Sequence, residues 1–416
     1  MSTQALRRTR IDLTDRPFIV IWEATRACAL ACRHCRATAV PHRDSGELTT
    51  EQAYSLMDEV AGFGSPPPFF VITGGDPFER PDLLDLIEYG SRVGIPVAVS
   101  PSGTPALNRE NLRRVYKAGA HAISLSVDGA TPGTHDSFRG VTGSFDHTVR
   151  GWREAKELGL RVQINTTVTP DNITELPEIL AMISDLGALT WSVFFLVPTG
   201  RGEQLQQLTA SQAEDILNFC YDADKIVALK TTEAPAFRRV CIQRTICEDL
   251  GLDPVAELGL GADYQKLSQR IRDLDLAAPG NGRLRRPPLQ VSAARGFVFI
   301  SHTGEVYPSG FLPLSAGNVH RNSLSQLYRS SDLFLELRDT EAPQGRCGRC
   351  EFRVVCGGSR PRAFGATRSL LADDPLCGYA PGSFGHADRV EEAIAWGAGA
   401  AADGAASTRP VPVGRG

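Results

Sequence analysis

Little in this chain points to a membrane, to nucleic acid or to secretion. No apolar run approaches the roughly 20 residues of a membrane span. Acidic residues number 48 against 44 basic ones, and the net charge of −4 leaves no global basic field for a nucleic acid. The opening residues MSTQALRRTR are basic but lack the apolar stretch of a secretory signal. The expected compartment is therefore the cytoplasm. No internal repeat is visible. At 416 residues the chain is too long for one small core, so one large domain plus a smaller one is expected.

The chain does hold ten cysteines, in groups. Cys28, Cys32 and Cys35 lie close together near the N-terminus. Cys347, Cys350 and Cys356 lie together near the C-terminus, with Cys377 following, and Cys220, Cys241 and Cys247 stand between. Clustered cysteines in a cytoplasmic chain point to metal binding before disulfides.

Residues 18–230 alternate strand and helix patterns. Short apolar runs at 18–23, 69–73, 96–100, 122–127, 161–169 and 190–197 are each followed by a helical period, and 226–232 adds a further strand. Six strand–helix units imply parallel strands with right-handed crossovers. They form either an open partial barrel or a flat doubly wound sheet, and both bind ligands at the carboxyl ends of the strands. The cysteine triad follows the first strand, Gly74-Gly75-Asp76-Pro77 the second, Pro101-Ser102-Gly103 the third, Asp128-Gly129 the fourth and Pro198-Thr199-Gly200 the sixth. All these loops are expected on one face. Residues 233–290 read as mostly helical with a Pro/Gly-rich break at 279–288. Residues 296–312 read as a hairpin turning at His302-Thr303-Gly304. From about 395 the chain turns Ala/Gly-rich and is expected to be disordered.

Cys28-Ala-Leu-Ala-Cys32-Arg-His-Cys35 places three thiols in one short loop. Iron–sulfur clusters usually take four cysteines. Three leave one iron open to another ligand. The bland alternative is a zinc site or core thiols. A C-x3-C-x2-C loop after the first strand of such a repeat resembles the signature of the radical S-adenosylmethionine (SAM) superfamily. The resemblance implies a partial (β/α)6 TIM-like barrel, a [4Fe–4S] cluster on Cys28, Cys32 and Cys35, and S-adenosyl-L-methionine bound at the open iron. It also implies reductive cleavage of SAM to a 5′-deoxyadenosyl radical that abstracts a substrate hydrogen. An electron donor such as flavodoxin or ferredoxin follows from that chemistry.

Other runs carry the same resemblance. Gly74-Gly75-Asp76-Pro77 is similar to the family's G-G-E-P motif, which implies that Gly74, Gly75 and Asp76 receive the methionine ammonium. Ser126 and Asp128 resemble its S-x-D-G at the fourth strand, implying contacts to ribose or carboxylate. His135-Asp136-Ser137-Phe138-Arg139-Gly140 resembles the run that follows, and places Arg139 to clamp the methionine carboxylate. Asn165 is expected toward the ribose, and Leu196 to Pro198 along the adenine. His34 is expected to pack or face solvent.

Cys347-x2-Cys350-x5-Cys356 followed by Cys377 resembles the SPASM/twitch extension of radical SAM proteins, whose full pattern serves two auxiliary clusters. Here Ser309 stands at one cysteine position of that pattern, Ala293 or Ala294 near another, and Arg360 at a third. The implied outcome is one auxiliary [4Fe–4S] cluster on Cys347, Cys350, Cys356 and Cys377. Zinc would accept the same four ligands. Cys220, Cys241 and Cys247 match no family position and are expected to pack as buried thiols.

The expected organisation is an N-terminal extension over 1–14, the barrel over 15–232, a helical bridge over 233–290, the SPASM/twitch-type domain over 291–386 and a partly disordered tail over 387–416. Within the superfamily the chain looks most similar to the branch of alternative-haem and haem d1 biosynthesis. That resemblance implies side-chain modification, such as oxidative decarboxylation, of a tetrapyrrole or other carboxylated small molecule. Arg283, Arg285, Arg286 and Arg360 are candidates for its carboxylates. The alternatives are maturation of a ribosomally made peptide and a non-enzymatic iron–sulfur electron carrier. Glu233 and His302 are expected where the domains meet, each with a structural role, and no catalytic acid or base is assigned.

Overall fold

The computed structural model describes residues 5–7, 9, 11–276 and 287–398. Arg283, Arg285 and Arg286 lie outside the described residues, as do residues 399–416. Seven parallel strands follow in chain order: β1 (Ile19–Thr25), β2 (Phe69–Gly74), β3 (Val97–Val99), β4 (Ala122–Ser126), β5 (Val162–Val168), β6 (Thr190–Phe195) and β7 (Leu229–Thr232). Each pairs with the next, as short crossovers through helices require. The expected hairpin forms as β8 (Phe297–Ile300) and β9 (Glu305–Tyr307), with a short β10 (Gly317–Asn318) beside it.

That hairpin does not stand apart. β8 pairs in parallel with β1, Ile19 opposite Phe297 and Ile21 opposite Phe299, so one ten-stranded sheet runs β10-β9-β8-β1-β2-β3-β4-β5-β6-β7. The hairpin's parallel strand is separated from β1 by most of the chain, and no local signal in the sequence announces the pairing. A second departure is the helix Pro132–Arg139, where the sequence reads only as a motif. Thr131 caps it, and Pro132 fits its first turn. A helix over Ala387–Ala398 likewise lies inside the expected tail.

Alternation along the strands decides which face is wet. In β1, Val20, Trp22 and Ala24 are fully buried under the helical layer. Ile19, Ile21 and Glu23 point the other way, toward the strands' inner face. Capping boxes at Thr49 with Gln52 and at Thr209 with Gln212 fix the starts of the helices Thr50–Ala61 and Ala210–Ala223. Trp152, Trp191, Leu86, Ile123 and Ile179 join Trp22 in a core that is continuous across the sheet.

The chain after β9 reaches across to the far strands of the sheet, β6 and β7. Phe311 meets Phe194 of β6 with ring centroids 6.4 Å apart. Ser309 Oγ donates to the Glu233 carboxylate just after β7 at 2.8 Å, and Ser359 Oγ donates to its other oxygen at 2.7 Å. Glu233 is half-buried, and desolvation of its carboxyl raises its pKa against the opposing effect of the two serines. Its role is structural, as the sequence suggests.

Arg362 completes this link. It is almost wholly buried and pairs with Asp374 at 3.1 Å. It also donates to the carbonyls of Phe195, Leu196 and Glu233 at 3.2, 3.3 and 2.5 Å. One guanidinium thus ties the C-terminal segment to the ends of β6 and β7. Arg362→Ala leaves Asp374 buried without its cation, a loss of about 3 kcal/mol in urea denaturation. Arg362→Ala/Asp374→Leu should recover part of it. An unchanged midpoint for the single variant would contradict the clamp.

Candidate functional site

The loop that follows β1 carries Cys28, Cys32 and Cys35 and has almost no regular structure. Its buried backbone groups therefore need partners from elsewhere. Gly75 N–H donates to the Thr25 carbonyl and Asp76 N–H to the Ala27 carbonyl, both at 2.7 Å. Ala31 and Arg33 N–H groups donate to the carbonyls of Arg139 and Phe138, and Arg201 N–H donates to Cys35. The loops after β2 and β6, and the helix Pro132–Arg139 after β4, thus all press on the cysteine loop.

Glycine is what lets them come so close. A Cβ on Gly74 would lie 2.2 Å from the Thr25 carbonyl oxygen, and one on Gly75 2.2 Å from that of Ala27. Gly74 also has φ of +149°, outside the range L side chains favour. The resemblance implies that these two glycines help to receive the methionine ammonium. The structure shows that they first open space for the cysteine loop itself.

The thiols of this loop sit in unequal surroundings. Cys32 is nearly buried, and its Sγ accepts from Arg139 Nη1 at 3.7 Å. Cys28 Sγ lies 3.4 Å from Ser102 Oγ and accepts from Leu30 N–H at 3.4 Å. Burial raises the Cys28 pKa, and the Ser102 and Leu30 contacts offset part of that. Cys35 is half-buried.

Beside the triad lies a polar recess with about 430 Å³ of empty space, counting its mouth. Gly74, Gly75, Ser102, Ser126, Arg139 and Ser144 are among its lining residues. Of the residues expected to contact SAM, Gly74, Gly75, Ser126 and Arg139 are thus brought together. Asp128 stands behind Arg139. It is buried, it ion-pairs with the guanidinium, and its Oδ1 accepts from Thr167 N–H at 2.6 Å. Burial opposes the charge on Arg139, but Asp128 and Cys32 outweigh it and raise its pKa. Arg139 Nε is buried and has no partner among the described residues. Asn165 lies opposite Ser126 in the strand register and accepts from Gln163 Nε2 at 2.7 Å.

Asp76 does not line the recess. It is fully buried and joins two loops, accepting from Phe78 N–H at 3.2 Å, Thr104 Oγ1 at 3.0 Å and Ser102 N–H at 3.4 Å. The carbonyl of Gly75 is also engaged, by Ser102 Oγ at 2.9 Å. Ser102 was missed as a site residue, although its loop stands out in the sequence. Ser144 was missed altogether, because its position depends on how the helix Ser144–Glu157 packs. The Leu196 carbonyl expected along adenine is taken by Arg362. His34 stacks on Phe138 at 4.4 Å, and burial pushes its pKa well down, so it packs as a neutral ring.

The second cysteine group also converges. Cys347, Cys350, Cys356 and Cys377 line one recess of about 450 Å³, counting its mouth, together with Arg239. Burial pushes the Cys350 thiol up to about 11 and Cys356 up to about 12. A site for thiolates there requires positive charge to replace the protons. Arg239 stacks over Tyr379 at 4.8 Å, and Arg360 Nη2 reaches Cys347 Sγ at 3.7 Å. Arg360 also donates to the carbonyls of Leu370 and Ala372, both at 2.8 Å, so it is committed here and not offered to a substrate. Among the described residues no three His, Cys, Asp or Glu side chains close around a single metal ion. The four thiols instead surround a space, which suits the Cys₄ donor set of an iron–sulfur cluster. Cys220, Cys241 and Cys247 are buried in the two apolar cores, as expected.

His302 Nδ1 lies 3.0 Å from the buried Glu23, in the turn between β8 and β9, and Arg36 pairs with the same carboxylate at 2.9 Å. Burial would raise the Glu23 pKa, but Arg36 and His302 outweigh it, and the net shift is downward. Among the described residues no helix is long and apolar enough to cross a membrane.

The chain is similar to known proteins of one superfamily. The pattern of the radical SAM superfamily matches residues 22–183. An AdoMet-dependent heme synthase of Oleidesulfovibrio alaskensis is 40% identical over 92% of this chain and 92% of its own. The mycofactocin maturase MftC of Mycobacterium tuberculosis is 29% identical over 87% of this chain and 83% of its own. The fold is similar to that of Streptococcus suis SuiB, solved bound to S-adenosylmethionine. The TM-score is 0.62 at 13% identity, over 88% of this chain and 78% of that one.

Asp76 gives a pH test of the loop junction. Burial pushes its carboxyl up from 3.8 to about 6. Above the unfolded value the unfolded chain has lost a proton that the folded chain retains. Stability therefore falls as pH rises, by about 3 kcal/mol in all and about 1 kcal/mol between about pH 5 and pH 7. Asp76→Asn should remove that slope in urea denaturation. The same slope in wild type and variant would contradict the assignment.

Proposed function

The chain belongs to the radical SAM superfamily, and on that premise we propose that it removes carboxyl groups oxidatively from the side chains of a tetrapyrrole. It is an enzyme that uses SAM and a [4Fe–4S] cluster. The observation that carries the substrate reading is the 40% identity to an AdoMet-dependent heme synthase across nearly the whole of both chains. The lower identity to MftC supports the peptide alternative less strongly.

In this reading Cys28, Cys32 and Cys35 hold the cluster whose open iron takes SAM. When bound, cluster and SAM supply a one-electron cleavage that gives the 5′-deoxyadenosyl radical and hence hydrogen abstraction from substrate. The protein's part is to position and to exclude water. Arg139 faces the recess as a cation held by Asp128, suited to the methionine carboxylate. Ser126, Gly74 and Gly75 offer polar groups around the same space. Asp128 and Asp76 act behind them, one orienting Arg139 and the other fixing the loop, and Asn165 stands next to Ser126 on the neighbouring strand β5.

Cys347, Cys350, Cys356 and Cys377 are the proposed ligands of one auxiliary [4Fe–4S] cluster. Residues 15–232 then form the SAM barrel and 291–386 the auxiliary-cluster domain, its hairpin sharing the barrel's sheet. Converting a propionate to a vinyl group releases CO₂, passes one hydrogen atom to the deoxyadenosyl radical and passes one electron to an external one-electron acceptor. A small redox protein such as flavodoxin or ferredoxin is the proposed electron donor, and the cytoplasm the proposed compartment.

The test is turnover of iron coproporphyrin III by anaerobically reconstituted protein with SAM and dithionite. Mass spectrometry should show loss of carboxyl groups from the porphyrin, matched by 5′-deoxyadenosine. The triple variant Cys28→Ala, Cys32→Ala, Cys35→Ala should form neither product. Deoxyadenosine with an unchanged porphyrin would overturn the substrate reading and keep the class.

A further inference from the structure

We infer that Arg36 is the residue that receives a carboxylate of the substrate, at the mouth of the barrel beside the cysteine triad. The inference rests on the tetrapyrrole reading and deepens it. Arg36 directly follows Cys35, so it stands where a substrate must come to meet the radical source. Its side chain is 20% exposed, and Nη1 pairs with Glu23 at 2.9 Å. Among the described residues its guanidinium makes no other hydrogen bond or ion pair. A guanidinium carries five N–H donors, so Glu23 leaves most of them free.

The surroundings fix how those donors are offered. The guanidinium carbon lies 4.1 Å from the centroid of Phe299, so the ring holds the plane of the fork. Glu23 is held from the other side by His302 at 3.0 Å, which leaves the carboxylate little freedom to drift. Gly310 passes alongside without a side chain. A Cβ there would lie 3.0 Å from Phe299 and 3.4 Å from Arg36 Nε. The edge of the guanidinium is thereby left uncovered.

Aromatic groups continue from that point in two directions. Tyr307 lies 6.2 Å from Phe299 between ring centroids. Phe311, next to Gly310, meets Phe194 of β6. Tyr307, Phe311 and Phe194 are all only half-buried. One partly neutralised cation among aromatic faces suits a flat, unsaturated molecule with a carboxylate arm. A free amine or a neutral sugar would find neither its charge nor its hydrogen-bond partners matched.

Of the other arginines near the strand ends, Arg201 keeps Nε and Nη2 buried and without a partner among the described residues, and three are engaged elsewhere. Arg360 and Arg362 donate to backbone carbonyls, and Arg139 is paired with Asp128 in the polar recess. Arg139 likewise combines an acid partner with an unbonded Nε, but it lines the recess assigned to SAM, whereas Arg36 offers its open donors beside the ring of Phe299.

The test is titration of the reconstituted full-length protein with iron coproporphyrin III and with its tetramethyl ester, followed by the Soret band. Wild type should bind the free acid more tightly than the ester. Arg36→Gln should bind the acid about ten- to hundredfold more weakly and lose the preference over the ester. Arg36→Lys retains the charge but not the fork, and should fall between. Arg33→Gln, on the exposed side of the same loop, should match wild type. Iron content is read on every variant. If Arg36→Gln fails to load iron, Arg36→Lys decides the test. A preference for the acid that survives in the Arg36 variants would overturn the assignment alone. A wild type that binds neither porphyrin would overturn the tetrapyrrole reading and the assignment with it.

Discussion

The structure depends on how its cysteine loop obtains hydrogen bonds. A loop without helix or strand must find partners for its buried carbonyls, and here they come from residues widely separated in sequence. Glycines stand at the closest points. Gly74 and Gly75 face the carbonyls of Thr25 and Ala27, Gly140 faces that of Ala31, and Gly200 faces those of Cys35 and Arg36. A side chain at any of them would push a neighbouring loop away from the thiols. The site is therefore also the junction that aligns the strand ends, and its geometry is inherited from the sheet.

Charge is placed on the same plan. Burial raises the pKa of Cys28, Cys350, Cys356 and Cys377, and each thiol group has a guanidinium in reach: Arg139 at Cys32, and Arg360 at Cys347. Arg139 is anchored in turn by Asp128, which the backbone of β5 holds through Thr167. Arg360 stands where the resemblance to the SPASM pattern anticipates another cysteine, and its guanidinium spans the second thiol group and two backbone carbonyls. Arg362, two residues on, carries the load between the C-terminal segment and the barrel. The helix Arg360–Thr367 thus serves the auxiliary site at one residue and the closure of the fold at another.

Much of this was legible in the sequence because it is local. The strands and helices through 232 have clean periods, the triad and its following motifs have fixed spacing, and the four C-terminal cysteines retain theirs. What was not legible is long-range. The pairing of β8 with β1 joins residues at opposite ends of the chain, and nothing near Phe297 signals it. The Glu23–Arg36–His302 group comes from the same event, since it exists only once the hairpin lies beside β1. The motif around Asp76 implies a ligand contact for that residue. Its actual partners, Thr104 and Ser102, belong to a loop whose placement depends on the sheet.

The central claim is that the recess beside Cys28, Cys32 and Cys35 presents SAM to the cluster those residues hold. Electron paramagnetic resonance of the reduced protein, with and without SAM, tests it most directly. The account predicts that SAM changes the spectrum of wild type and leaves unchanged that of the variant lacking the three cysteines. A wild-type spectrum indifferent to SAM, or a variant that responds equally, would contradict it.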